Sequence, residues 1–262
     1  HPEGEIGMSA PVKIWFEKEG RLLRLRLDRP KANILDAAMN AALEEALTKH
    51  RGASELRAIM IDAAGGHFSF GASIEEHMPD QCAAMLAGFH RLVLKVFGSD
   101  TPVIAVVRGQ CLGGGLELVS AAHLIFAGAD AKLGQPEIQI GVFAPAASCL
   151  LPERVGLAAA EDLLLSGRSI GAEEALRIGL VTAVADDPEA EALAYFDKHL
   201  APKSAKSLRY ATRAAREGLV DRVANKLAAI EKLYLDELMT TSDALEGLTA
   251  FIEKRPARWK DA

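Results

Sequence analysis

The chain has 262 residues, half of them hydrophobic and a quarter charged, with a formal net charge of −6. That size supports one substantial core, and a mildly acidic balance is a poor match for nucleic-acid or anionic-membrane binding. No apolar run reaches the roughly 18 to 20 residues of a membrane span, and Cys82, Cys111 and Cys149 suit a reducing cytoplasm better than a disulfide framework.

His1 to Gly7 precede Met8 and read as an expression-tag remnant. Leu23, Leu25 and Leu27 alternate with Arg24, Arg26 and Asp28, the period of a half-buried strand. Leu35, Met39, Leu43 and Leu47 then recur every fourth residue, which predicts an amphipathic helix over 36–49. The apolar run 58–62 suits a buried strand, and a turn at Gly65-Gly66 leads into the segment 67–74. A helix over 80–98, a buried strand at 103–107, a glycine cluster at 113–115 opening a helix, and a strand at 124–127 follow. Strands alternating with helices argue for an α/β core. From about residue 158 onward the pattern is helical, with helices expected at 158–166, 172–178, 188–200, 203–217, 219–239 and 242–254. The organisation expected is a core over 8–200 and a helical region over 201–262, with oligomer formation a reason for so many short helices.

Gly113-Gly114-Gly115 sits between a buried strand and a helix, where glycines cost backbone entropy. Close approach to a ligand, with free N–H groups at the helix start, is one explanation; a tight strand-to-helix turn is an equal one. Neither a dinucleotide fingerprint nor a Walker motif fits the spacing. Phe68-Ser-Phe-Gly-Ala-Ser-Ile74 is a second glycine-bearing segment after a second buried strand. Glu117 lies in the first turn after the triple glycine, and Glu137 follows in Gly134-Gln-Pro-Glu137. Together, two glycine segments and two carboxylates describe an oxyanion hole with an acid/base pair. His77 and Cys82 are the nearest approach to a metal-ligand pair, and no second pair follows, so no metal is expected. His67, His77 and His123 lack an accompanying nucleophile elbow. Lys203, Lys206, Arg209, Arg213 and Arg216 form a stripe expected to face solvent, as are Lys254, Arg255 and Lys260.

F-S-x-G-A-x-I, then G-x-x-x-G-G-G-x-E, then G-Q-P-E, with L-D-R-P-K-A-N at 27–33, closely resembles the crotonase (enoyl-CoA hydratase/isomerase) superfamily over about residues 12–262. The resemblance implies an α/β spiral of ββα units with a C-terminal helical region that packs trimers, often paired into hexamers. It implies an acyl-CoA thioester substrate, no metal or redox cofactor, and coenzyme A arriving as part of the substrate. By the same resemblance the N–H groups of Ala72 and Gly114 form the oxyanion hole, with Glu117 as base and Glu137 as acid. Lys31 and Ala32 match the nucleotide-contacting loop, while Gly71, Ser73, Ile74 and Gly113 flank the oxyanion segments. Retention of both glutamates favours hydration.

Two departures narrow the substrate. Ser73 replaces the usual Asp, and Gly141-Val-Phe-Ala-Pro-Ala-Ala-Ser-Cys149 replaces a glycine-rich segment. The string 68–82, together with 141–152, resembles a subfamily that hydrates cyclohexa-1,5-diene-1-carbonyl-CoA in anaerobic aromatic degradation. Phe143, Ala144 and Pro145 are then expected to shape a pocket for a flat ring. The rival expectations are a general hydratase of the β-oxidation type, and a non-catalytic acyl-CoA or RNA-binding homologue.

Overall fold

The computed structural model describes residues 10–262, so the remnant expected at His1–Gly7 lies outside the described residues. A hairpin of β1 (Val12–Glu17) and β2 (Leu22–Leu27) opens the chain. Then come α1 (Ala37–His50), β3 (Ala58–Ala63), α2 (Cys82–Phe97), β4 (Val103–Val107), β5 (Gln110–Leu112), α3 (Gly114–Ala121), β6 (Leu124–Gly128) and β7 (Lys132–Gly134). The chain continues through α4 (Pro145–Val155), α5 (Leu157–Ser166), β8 (Ser169–Gly171), α6 (Ala172–Arg177), β9 (Ala183–Ala185) and α7 (Pro188–Tyr195). It ends with α8 (Ala205–Ala215), α9 (Leu219–Lys232) and α10 (Ser242–Ile252). No described helix is long and apolar enough to cross a membrane.

The larger sheet runs β1-β2-β3-β4-β6-β9, parallel beyond the opening hairpin, and β5-β7-β8 form a smaller second sheet. Each turn of chain contributes a strand to the larger sheet, then a helix that packs on it. From β4 to β8 it also contributes short strands to the smaller sheet, which is the expected α/β spiral. Asp36 caps α1 by accepting from the Met39 N–H, which explains why that helix starts where the leucine period does.

The face of β2 expected to be wet is instead buried. Arg24 is 1 % exposed, with its Nη2 2.5 Å from Asp62 Oδ2 on β3 and 2.7 Å from Glu189 Oε1 on α7. Arg26 Nε donates to Asp62 Oδ1 at 2.7 Å, and both guanidinium groups lie about 5 Å from the Trp15 ring. Alternation in the sequence marked this face as polar, and the ion pairs are what let it lie inside. Arg216 departs in the same way from the expected solvent-facing stripe. It stacks on Phe97 and donates to the Phe97, Ala121 and Ala122 carbonyls, closing the C-terminal ends of α2 and α3.

The segment 141–152, for which no helix was expected, runs into helix α4. Pro145 takes the first helical position, where its missing N–H costs nothing. Pro152 lies inside the helix and leaves the Ser148 carbonyl without its usual donor; Lys226 Nζ from α9 fills it at 2.8 Å.

The helix α10 packs on the turn Pro136–Ile140 of the same chain. Its Gly247 approaches so closely that an added Cβ would stand 2.0 Å from the Ile140 carbonyl oxygen. Gly247→Ala is therefore expected to push α10 outward, cost about 1–3 kcal/mol through overpacking and raise KM. Thermal unfolding and steady-state kinetics read both effects.

Candidate active site

The site grows from two strand ends. Ser69 pairs with Cys111 of β5, and Leu112 N donates back to the Ser69 carbonyl at 3.0 Å, so the 67–74 segment lies alongside the entry to α3. Leu35 N donates to the Gly71 carbonyl at 2.9 Å and fixes the segment's other side. Gly71 adopts φ +110°, and a Cβ there would meet the Leu112 carbonyl at 3.1 Å and Gly114 N at 3.5 Å. A Cβ on Gly114 would stand 3.2 Å from Ala72 N. The glycines are therefore explained by close approach of two backbones, and the ambiguity left by the sequence goes with it. Among the described residues neither the Ala72 nor the Gly114 amide donates to another group of the chain. Two neighbouring N–H groups, one at a helix N-terminus, suit a carbonyl oxygen that gains negative charge.

Glu117 is 5 % exposed, one turn into α3. Its Oε1 accepts from the Ala147 N–H of α4 at 2.9 Å, so the carboxylate caps a helix that has no side-chain cap of its own. Burial pushes its pKa up to about 7, while the α4 amides hold it back from going further. Glu137, half-buried in the turn after β7, is pushed well above its ordinary value, first by burial and then by the charge on Glu117. A Cβ on Gly113 would stand 2.8 Å from Glu137 Oε1. Gln135, 1 % exposed, can turn its amide nitrogen to donate to Glu137 Oε1 at 3.0 Å and to the Gly113 carbonyl at 3.3 Å. Two buried carboxylates raised in this way can share one proton near neutrality.

Both glutamates open onto one cavity of about 800 Å³. Gly71, Ala72, Ser73, Ile74, Gly113, Gly114, Phe143, Ala144 and Pro145 all line it, so the structure brings together the residues expected from sequence with two exceptions. Lys31 and Ala32 lie outside the wall; Lys31 is exposed, and the Ala32 carbonyl accepts from Phe70 N beside the lining residue Ile34. Sequence reasoning missed the far wall, made by Met85, Leu86, Phe89 and His90 of α2, and the roof of Gly247 and Phe251 from α10. The stripe 85, 86, 89, 90 is legible as a helix face, although nothing in it says that a cavity lies opposite. Phe143 rests edge-on against Tyr234, with ring centroids 5.2 Å apart.

The shifted pair predicts a bell-shaped pH profile. Activity rises as Glu117 ionises, with an apparent pKa near 7. It falls on the alkaline side as Glu137, also held well above its ordinary value, loses its proton. Below the first limb both groups are protonated and no base remains. Above the second both are ionised and no acid remains. Measurement of kcat/KM across pH checks both limbs.

The chain belongs to the enoyl-CoA hydratase/isomerase family, whose model matches residues 17–262. Within it, the chain is 60 % identical over 253 residues to the cyclohexa-1,5-dienecarbonyl-CoA hydratase of Thauera aromatica, covering 97 % of this chain and 98 % of that one. It is 34 % identical to the carnitinyl-CoA dehydratase of Salmonella enteritidis, over 94 % of this chain and 98 % of the relative. The crystal structure of an enoyl-CoA hydratase from Mycobacterium avium superposes with a TM-score of 0.86 at 26 % identity, covering 97 % of this chain and all of that one.

Proposed function

We propose that this protein adds water to cyclohexa-1,5-diene-1-carbonyl-CoA, giving 6-hydroxycyclohex-1-ene-1-carbonyl-CoA in the benzoyl-CoA route of anaerobic aromatic degradation. The observation that carries the reading is the pairing of two buried, raised carboxylates on one cavity with two free backbone amides, in a chain 60 % identical to the Thauera enzyme over nearly its whole length. The Ala72 and Gly114 N–H groups hold the thioester oxygen. Glu117 takes a proton from water as the water oxygen bonds to the ring β-carbon, and the electron pair moves through the α-carbon onto the thioester oxygen. Because a second ring double bond is conjugated with that enolate, the electrons return through it. The Glu137 proton is delivered to the ring carbon opposite the new hydroxyl. Transfer of one proton from Glu117 to Glu137 resets the pair, so atoms and charge balance. No metal or redox cofactor takes part, and coenzyme A belongs to the substrate.

Phe143, Ala144 and Pro145 give the ring a firm wall, since α4 begins there and its first turn is locked by Pro145 and by Glu117. The nucleotide end of coenzyme A would emerge past Ile34 toward Lys31 and Ala32. The same reading places the protein in the cytoplasm as a homotrimer or homohexamer. Exposed Ile138, Leu157 and Leu165 support a subunit contact, and light scattering on the purified protein tests it.

Product analysis with the ring diene and with crotonyl-CoA tests the function. Rapid formation of the hydroxycyclohexenyl thioester with little crotonyl-CoA turnover supports the reading. Fast crotonyl-CoA hydration with an inert diene would overturn it in favour of a β-oxidation type hydratase.

A further inference from the structure

Phe143 ends the run of chain that leads from Glu137 into α4, and it lines the cavity beside Ala144 and Pro145. Its backbone is held on both sides. Val142 N donates to the Glu137 carbonyl at 3.2 Å, and Ala144 precedes a helix whose first turn is capped by Glu117. The freedom that remains is the direction of the half-buried ring. Tyr234 removes it, standing at 74° to Phe143 with ring centroids 5.2 Å apart. An edge-to-face pair prefers one orientation, because the positive edge of one ring meets the negative face of the other.

Tyr234 comes from the C-terminal helical region. Val223 and Leu227 of α9 pack in the main core, and the helix then widens into one π-turn over Leu233–Glu237. Tyr234 lies in that turn and is 1 % exposed. It belongs to a separate apolar cluster with Val142 and with Met85 and Leu86 of the far cavity wall. Such turns are rare in helices and frequent at functional sites. The Tyr234 hydroxyl bonds to no group among the described residues, so what it gives the wall is a ring and its shape. Burial pushes the phenol pKa up, and the side chain stays neutral. We infer that Tyr234 is a specificity-determining residue: by fixing the Phe143 ring as one face of the cavity, it selects planar six-membered acyl groups over linear ones. It acts through Phe143 and is a positioning residue. The inference deepens the ring-acyl reading proposed above and rests on it.

Binding of two unreactive thioesters, benzoyl-CoA and butyryl-CoA, tests this without depending on turnover. Each is titrated calorimetrically into the full-length protein, Tyr234→Leu and Tyr234→Phe. The native protein is expected to bind the planar ring more tightly than the linear chain. In Tyr234→Leu that preference falls about tenfold, the upper worth of one aromatic pair, with most of the change in the benzoyl-CoA affinity. Tyr234→Phe keeps the edge-on contact and holds the preference within a factor of about three of the native one. A merely structural role would lower both affinities together and leave their ratio unchanged, and the ratio also cancels any unfolded fraction in a variant. An unchanged preference in Tyr234→Leu, a preference lost equally in Tyr234→Phe, or equal binding of both ligands by the native protein would overturn the inference and leave the ring-acyl reading standing. Binding of butyryl-CoA but of no ring by the native protein would overturn both.

Discussion

Glu117→Gln is expected to lower kcat by about a thousandfold, the usual worth of a positioned general base, with substrate affinity little changed. Glutamine keeps the shape of the side chain, and its amide oxygen can still accept from the Ala147 N–H, so α4 keeps its cap. What is lost is the group able to take a proton from water. Glu137→Gln is expected to cost a similar factor by removing the acid. The double variant should be little worse than either single one, because the two act as a unit on one proton. Its pH profile should also simplify. In Glu137→Gln the charge interaction that raises one carboxylate against the other is gone, and the alkaline limb assigned to Glu137 disappears. Single-turnover kinetics and calorimetric titration with the substrate separate chemistry from binding. An unchanged kcat in Glu117→Gln would overturn the role of Glu117 as base, and normal substrate binding with no turnover by the native protein would favour a binding protein on this fold.

The largest expected effect on stability lies far from the chemistry. Asp62, on β3, faces both Arg24 and Arg26, and Arg24 is buried to 1 % exposure. Asp62→Ala would leave two guanidinium groups with only Glu17 and Glu189 to balance them, both partly exposed carboxylates. Removing one partner from a buried ion pair typically costs about 3–5 kcal/mol, so a large drop in the chemical-denaturation midpoint is expected. Replacing Arg24, Arg26 and Asp62 together by apolar residues of similar volume should cost much less. That contrast distinguishes an uncompensated charge from a simple loss of packing.

How much of this was legible beforehand depended on which signal each part left. The strands at 58–62 and 103–107 follow from unbroken apolar runs, and the helix face at 36–49 from its four-residue period, since burial imposes both. The two glycine segments and Glu117 and Glu137 stood out through their resemblance to a family pattern, since the glycines alone left a tight turn as an equal explanation until Gly71 and Gly114 were seen against each other's backbone. Helix α4 was not legible. Its two prolines argue against a helix, and only the Ser148 carbonyl's acceptance of Lys226 from a distant helix makes the second one tolerable. The short strands β5, β7 and β8 have three residues each, too few to show alternation. The roof from α10 was invisible for another reason. Gly247 reads as a weak point in a helix until Ile140 is placed against it, and that contact spans more than a hundred residues of chain.

That roof also bears on the order in which the protein becomes competent. The floor of the cavity, from Gly71 to Pro145, leaves the ribosome long before α10 does. The parallel pairing of β2, β3, β4 and β6 can proceed without α10. A nascent chain can therefore hold both carboxylates in place while one side of the cavity stays open to water. Docking of Gly247 against Ile140 turns that trough into an enclosure, so regain of activity during refolding should lag behind regain of sheet structure.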